Sequence, residues 1–163
     1  MNKRIFFLLL LFLSLVISIY LIKKLAKRND PKIYLPDLQI KDENGNLINV
    51  SKFYGKPLVT NFWATWCGPC RYELPYFKST YKRYGDKINF LMISAETFEV
   101  IKALKDSNKY SIPIVQSHKQ LNKLGIMTIP VTLIYSSQGT FIATKSTALN
   151  EEELNKIIVD SIK

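Results

Sequence analysis

The sequence predicts an α/β fold: a central mixed β-sheet flanked by helices, with an N-terminal β-hairpin and an N-terminal transmembrane helix. Three observations lead there. From residue 34 onward, short β-branched and apolar runs alternate with longer amphipathic segments, the pattern of strands joined through helices. The last two of these runs are separated by little more than Ser137-Gln138-Gly139, as in a hairpin, so parallel and antiparallel pairing must mix. Before all of them, residues 5–22 run without a single charge.

That apolar stretch is dominated by Leu, Ile and Phe, with Lys3 and Arg4 before it and Lys23, Lys24, Lys27 and Arg28 after it. At about 1.5 Å per residue it is roughly 27 Å long, close to the hydrocarbon thickness of a bilayer. A cleavable signal peptide has an apolar core of about 7–15 residues and a small-x-small cleavage site. This core is longer, and no such site precedes the basic run. Residues 5–22 are therefore expected to be an uncleaved signal anchor. No cysteine lies near it to carry a lipid. The expected organisation is a short flank at 1–4, the span at 5–22, a basic tether at 23–33 and one domain at 34–163, long enough for a single core.

Within that domain, residues 34–40 and 47–50 read as strands around the Asn44-Gly45 turn. Residues 51–54 form a helical turn. Residues 58–64 carry β-branched and aromatic side chains with no charge, as a buried central strand does. Residues 71–84 place Leu74, Phe77 and Tyr81 on one helical face, with Pro75 expected to kink the helix. A second apolar strand is expected at 88–94, then a helix at 97–108 capped by Ser94 or Thr97. A short strand at 112–116 and a short helix at 119–124, closed by Gly125, follow. Residues 131–135 and 141–145 flank the hairpin turn. Asn150 caps the last helix, 151–162, whose first turn sets three glutamates against the helix dipole.

The net charge of +10 is shared between two regions. Six basic residues and one acid in residues 1–30 account for half of it. In the remainder the lysines are scattered as on a solvated surface, with attraction to anionic headgroups as a side effect. No basic face with interleaved aromatics appears, so nucleic acid is not an expected partner.

The chemistry is concentrated in Trp66-Cys67-Gly68-Pro69-Cys70, which holds the only two cysteines of the chain. Such a pair can close a small disulfide ring or hold two corners of a metal site. A tetrahedral zinc needs four ligands, and beyond the pair the chain offers one histidine, His118, far away in sequence. His118 reads as a surface or helix-start residue. No metal and no cofactor are expected. A purely structural bridge is disfavoured because so short a loop removes little entropy from the unfolded chain. The pair sits where a strand gives way to a helix. Cys67 at the helix N-terminus meets unpaired N–H groups that stabilise a thiolate, making it the nucleophile. Pro69 suits the first turn, and Cys70, one turn further in and more shielded, becomes the resolving thiol. Glu73 can share the side of the helix that carries both cysteines. It reads equally as a proton relay raised in pKa by burial or as a surface acid near the helix start.

The run from Asn61 to Cys70, followed by Glu73, Leu74 and Pro75, resembles the thioredoxin superfamily. More narrowly, it resembles the membrane-anchored TlpA/ResA-like thiol-disulfide oxidoreductases, from about Leu35 to the C-terminus. The Asp42-Glu43-Asn44-Gly45-Asn46 turn and the Gly55-Lys56-Pro57 entry to the central strand belong to the same likeness. It implies a thioredoxin-like fold, a redox-active Cys67–Cys70 disulfide in a loop with Trp66, Gly68 and Pro69, and a role for Glu73 beside the pair. Thr128-Ile129-Pro130-Val131 matches the family's cis-proline loop, so Ile129 and Pro130 are expected to present backbone to substrate. Residues 97–116 match the insert that separates this branch from minimal thioredoxins. Asn61 departs from cytoplasmic thioredoxins, which carry a buried aspartate there. The usual peroxiredoxin arrangement Pro-x-x-x-Thr-x-x-Cys is absent.

The resemblance also bears on orientation. Counted literally, the basic residues after the span would hold the domain in the cytoplasm. The family instead implies a single-pass protein of the cytoplasmic membrane with its catalytic domain on the extracytoplasmic face. Gly-Pro between the cysteines is similar to thioredoxin and lacks the histidine of strong oxidants, so a reductant near roughly −270 mV is expected. The implied partners are disulfide-containing proteins such as apocytochrome c during cytochrome c maturation, and a membrane thiol-electron donor. The alternatives are a general envelope reductant serving other clients or peroxidases and, more distantly, a non-catalytic client-binding module.

Overall fold

The computed structural model describes residues 3–28 and 30–162 and divides the chain into two units, one ending at Asp30 and one beginning at Pro31. Met1, Asn2, Asn29 and Lys163 lie outside the described residues, and with them half of the expected flank and one position of the expected tether. The first unit is a single helix, α1 (Lys3–Arg28). Its stretch Lys3–Ile22 is long and apolar enough to cross a membrane, and none of it is buried. The helix runs on past Ile22 through most of the segment expected as a tether, where Leu25 and Ala26 among the lysines favour helix.

The second unit is built on a six-stranded sheet. Its strands are β1 (Ile40–Lys41), β2 (Leu58–Phe62), β3 (Asn89–Ser94), β4 (Ile114–Ser117), β5 (Val131–Tyr135) and β6 (Phe141–Lys145), in the order β1-β4-β3-β2-β5-β6. β2, β3 and β4 are parallel neighbours, while β1, β5 and β6 pair antiparallel. The parallel steps are made by α2 (Gly68–Tyr84) and α3 (Phe98–Ser107), and α4 (Glu151–Ile162) closes the chain. Right-handed crossovers in one direction along a sheet place both connecting helices on one face.

Side chains of alternate strand positions divide the core accordingly. Val59, Phe90, Met92 and Ile134 pack with Leu74 and Phe77 of α2, Ile101 of α3 and Leu154 and Ile158 of α4. Leu58, Phe62, Leu91, Ile93, Val131, Leu133 and Tyr135 face the other way, onto Leu35, Leu38 and Ile126. β2 is central and all five of its residues are buried, as its uncharged composition requires.

The N-terminal hairpin is shorter than expected. Leu35–Asp37 forms a 3-10 turn with Pro36 at its second position, so the first arm shrinks to β1. The second arm contributes one bridge, Lys41 to Leu47, before a further 3-10 turn at Val50–Phe53. The turn itself is as expected: the Asn44 and Asn46 amides both donate to Asp42 Oδ1 at 2.9 Å, and Gly45 takes φ 79°. α2 runs on through Pro75, whose missing N–H forfeits only the bond to the Arg71 carbonyl.

Candidate active site

The sheet brings the cysteine motif and the Ile129-Pro130 loop together. β2 and β5 are antiparallel neighbours, with Phe62 opposite Val131. The loop after the C-terminal end of β2 therefore meets the loop before the N-terminal end of β5. The first holds the cysteines and the second the Ile129–Pro130 peptide bond, which is cis.

Cys67 is the N-cap of α2, and the Cys70 amide donates toward its Sγ at 3.2 Å. Once the bridge opens, that N–H and the helix terminus favour a thiolate at Cys67. The two cysteines are joined by a disulfide. Cys67 keeps 4% exposure and Cys70 none, so an incoming sulfur reaches Cys67 first. Cys67 Sγ lies 3.8 Å from the Ile129 carbonyl oxygen of the facing loop. Trp66 is 74% exposed and, with Leu121, Ile126, Met127, Thr128 and Ile129, lines a cleft of about 400 Å³ beside the pair. Gly68 and Pro69 form the first helical positions, where a missing proline N–H costs nothing.

Glu73 lies on the next turn of α2 after Cys70 and is completely buried. Its Oε1 accepts from Asn61 Nδ2 at 2.7 Å and its Oε2 from the Leu149 amide at 2.9 Å. Burial pushes its carboxyl up to about 7, against the two hydrogen bonds, which favour the charged form. Of the two readings the sequence allows for Glu73, the surface acid is excluded by this burial.

Three partners in the site escape the sequence reading. Thr132 stands opposite Asn61 in the β2–β5 register, and its Oγ1 receives a 3.1 Å bond from Asn61 Nδ2. Leu149 reaches Glu73 from the approach to α4. Glu96, just beyond β3, binds the loop before Cys67: the Thr65 amide and hydroxyl donate to its two oxygens at 2.7 and 2.6 Å. Its place at the carboxyl end of a parallel strand is the available signal, since that end is where α/β sites gather. His118 is exposed at the end of β4, its amide donating to the Gln39 carbonyl, apart from this cluster. Among the described residues no three His, Cys, Asp or Glu side chains are grouped to hold a metal ion.

Known proteins resemble this chain to differing extents. A family model described as the AhpC/TSA family matches residues 33–144. The chain is 34% identical over 109 residues to the thioredoxin-like protein YneN of Bacillus subtilis, a match covering 64% of each. It is 29% identical over 148 residues to the thiol-disulfide oxidoreductase ResA of Oceanobacillus iheyensis, covering 82% of this chain and 76% of that protein. The matches thus span 64% and 76% of these two relatives' lengths. The crystal structure of StoA from Bacillus subtilis is similar at TM-score 0.64 and 26% identity, covering 77% of this chain and 98% of that one. A thioredoxin family protein from Chlorobium tepidum, at TM-score 0.68 and 19% identity, covers 82% and 97% and shares the fold alone.

Proposed function

The chain belongs to the AhpC/TSA family, and on that premise we propose that it is a thiol-disulfide oxidoreductase of the ResA/StoA type that reduces protein disulfides. The observation that carries the reading is the cysteine pair itself. It is bridged at a helix N-terminus, with one reachable sulfur, a facing backbone carbonyl at 3.8 Å and a buried carboxyl one turn on.

The steps follow from that geometry. Reduced Cys67, as thiolate, attacks one sulfur of a client disulfide; a Cys67–client bond forms and the other client sulfur leaves as thiolate. Cys70 loses its proton and attacks Cys67 Sγ, closing the bridge and releasing the second client thiolate. Two electrons pass to the client, and a membrane thiol-electron donor restores the dithiol. Glu73, ionising near neutrality, exchanges the protons that the buried Cys70 must give up and regain. Trp66 and Met127 receive the apolar flank of the client, and the Ile129 and Pro130 backbone aligns it.

The apolar helix at Lys3–Ile22 supports a single-pass protein of the cytoplasmic membrane. The domain is assigned to the extracytoplasmic face, with apocytochrome c as the client class during cytochrome c maturation. Reduction of insulin by dithiothreitol tests the activity: the wild type accelerates it and Cys67→Ser does not. Equal rates for the two would overturn the reading. A membrane-impermeant thiol reagent should label Cys67 in intact cells, or in spheroplasts if there is an outer membrane; labelling only after lysis would overturn the location. Deletion of the gene should cost the cell its c-type cytochromes, and added dithiol should restore them.

A further inference from the structure

Asn61 presents an asymmetry that the reaction above does not use. Its side chain is fully buried between β2 and α2. Nδ2 donates both its hydrogens, to Glu73 Oε1 at 2.7 Å and to Thr132 Oγ1 at 3.1 Å. Oδ1 is buried and has no partner among the described residues. Buried amide oxygens are seldom left so. This half-satisfied arrangement suits one protonation state of its neighbour, because a carboxylate only accepts and Nδ2 only donates.

The other state needs the opposite end of the amide. Glu73 Oε2 faces the Leu149 N–H, a donor that cannot be exchanged for an acceptor, so a proton taken up by Glu73 belongs on Oε1. That O–H would then face one N–H of Asn61, as the Thr132 hydroxyl faces the other. Turning the Asn61 amide half a revolution about its last torsion puts Oδ1 in their place, able to accept from the Glu73 O–H and from the Thr132 hydroxyl together. The amide nitrogen and oxygen are nearly the same size, so no backbone has to move. Each state leaves one end of the amide without a partner, but the bond to the carboxylate is charge-assisted and the stronger of the two, so Asn61 serves both states while favouring the charged one.

We infer that Asn61 is a positioning residue for Glu73 whose amide reverses as the carboxyl gains and loses its proton. Aspartate at position 61 could not do this, since it would present a second acid, and leucine would offer neither donor nor acceptor. Few other groups compete for control of the carboxyl. From α2 come Cys70 and the disulfide; from β2 and β5, the amide and the Thr132 hydroxyl; from the approach to α4, the Leu149 N–H. Lys145 of β6 and Glu153, Lys156 and Asp160 of α4 line a cleft beyond Leu149. With the cysteines bridged, burial raises the Glu73 carboxyl and the two hydrogen bonds oppose it.

The inference rests on the proton-exchange role proposed for Glu73, and the test separates the two. The rate of Cys67 alkylation in the reduced full-length protein, in detergent, is measured from pH 5 to 10 for wild type, Glu73→Gln and Asn61→Leu. Glu73→Gln should remove the Glu73 inflection, and Asn61→Leu should keep it but move it upward by about one pH unit, because the carboxylate loses a donor. An inflection lost in Glu73→Gln but unmoved in Asn61→Leu overturns the role of Asn61 and leaves that of Glu73. An inflection kept in Glu73→Gln overturns both. Should Asn61→Leu fail to fold, the wild type suffices: the Asn61 side-chain NH₂ resonances must shift with the same midpoint as the Glu73 carboxyl carbon. Amide resonances that stay fixed while Glu73 titrates overturn the reversal.

Discussion

Glu73 and Tyr135 are two fully buried ionisable side chains on opposite faces of one sheet, and their surroundings make them opposites. Tyr135 packs among Leu35, Phe62 and Leu133 and donates its hydroxyl to the Ile33 carbonyl at 3.0 Å. Burial pushes its phenol far above the usual range, so it holds its proton at every physiological pH. Glu73 is buried as deeply but meets two donors, and its carboxyl rises only to about 7. Burial alone silences a group. Burial opposed by two hydrogen bonds places it where a small change in pH or in a neighbouring thiol moves its proton.

The most severe way to break the comparison is to take the acid away. Glu73→Gln should slow disulfide exchange by about 10²–10⁴-fold, the loss typical of a general acid–base, and should flatten the pH dependence near 7. Stopped-flow reduction of a model disulfide at pH 5 to 9 reads both. A variant as fast as wild type at every pH would return Glu73 to the same class as Tyr135.

Stability gives the next effect. Folded Glu73 ionises near 7, while its ordinary value is 4.5, so between these values the folded chain holds a proton that the unfolded chain has released. The contribution to stability is fully present below about pH 4.5 and is lost as pH rises through about 7. At about 1.4 kcal/mol per unit, the loss is on the order of 3 kcal/mol. Urea unfolding of the oxidised protein should show it in wild type and not in Glu73→Gln. Parallel pH curves for the two proteins would mean that the carboxyl ionises normally.

The smallest effect belongs to the other face. Tyr135→Phe removes one buried hydrogen bond and should cost about 1 kcal/mol, read as a lower urea midpoint. Exchange rate and pH profile should stay as in wild type. If the profile moved, the two faces would not be as separate as the packing implies.

Much of this contrast is legible in the amino-acid sequence, and the illegible part has a clear cause. β2 is marked by its β-branched and aromatic residues, and Glu73 by its helical spacing from Cys70. Residues 34–40 mislead because Leu35 and Leu38 are both buried three positions apart around Pro36, a 3-10 spacing inside a run that looks like a strand. The partners of Asn61 and Glu73 are hidden for another reason. Thr132 lies 71 residues from Asn61, and Leu149 lies 76 from Glu73 and contributes only a backbone N–H, which every residue but proline possesses. Pairings of that kind exist only once β5 has taken its register beside β2.

The ends of the sheet govern how copies of this chain tolerate one another. A strand with a free edge is a template on which a second chain can grow a ladder. Here one edge is β1, two residues long. The other is β6, paired across a bulge at Ile134 and Tyr135, ending in Lys145, with Thr144 tied to the Pro31 carbonyl. Neither offers a long flat row of unpaired amides. Copies held side by side would therefore find only short edges on which to add strands to each other.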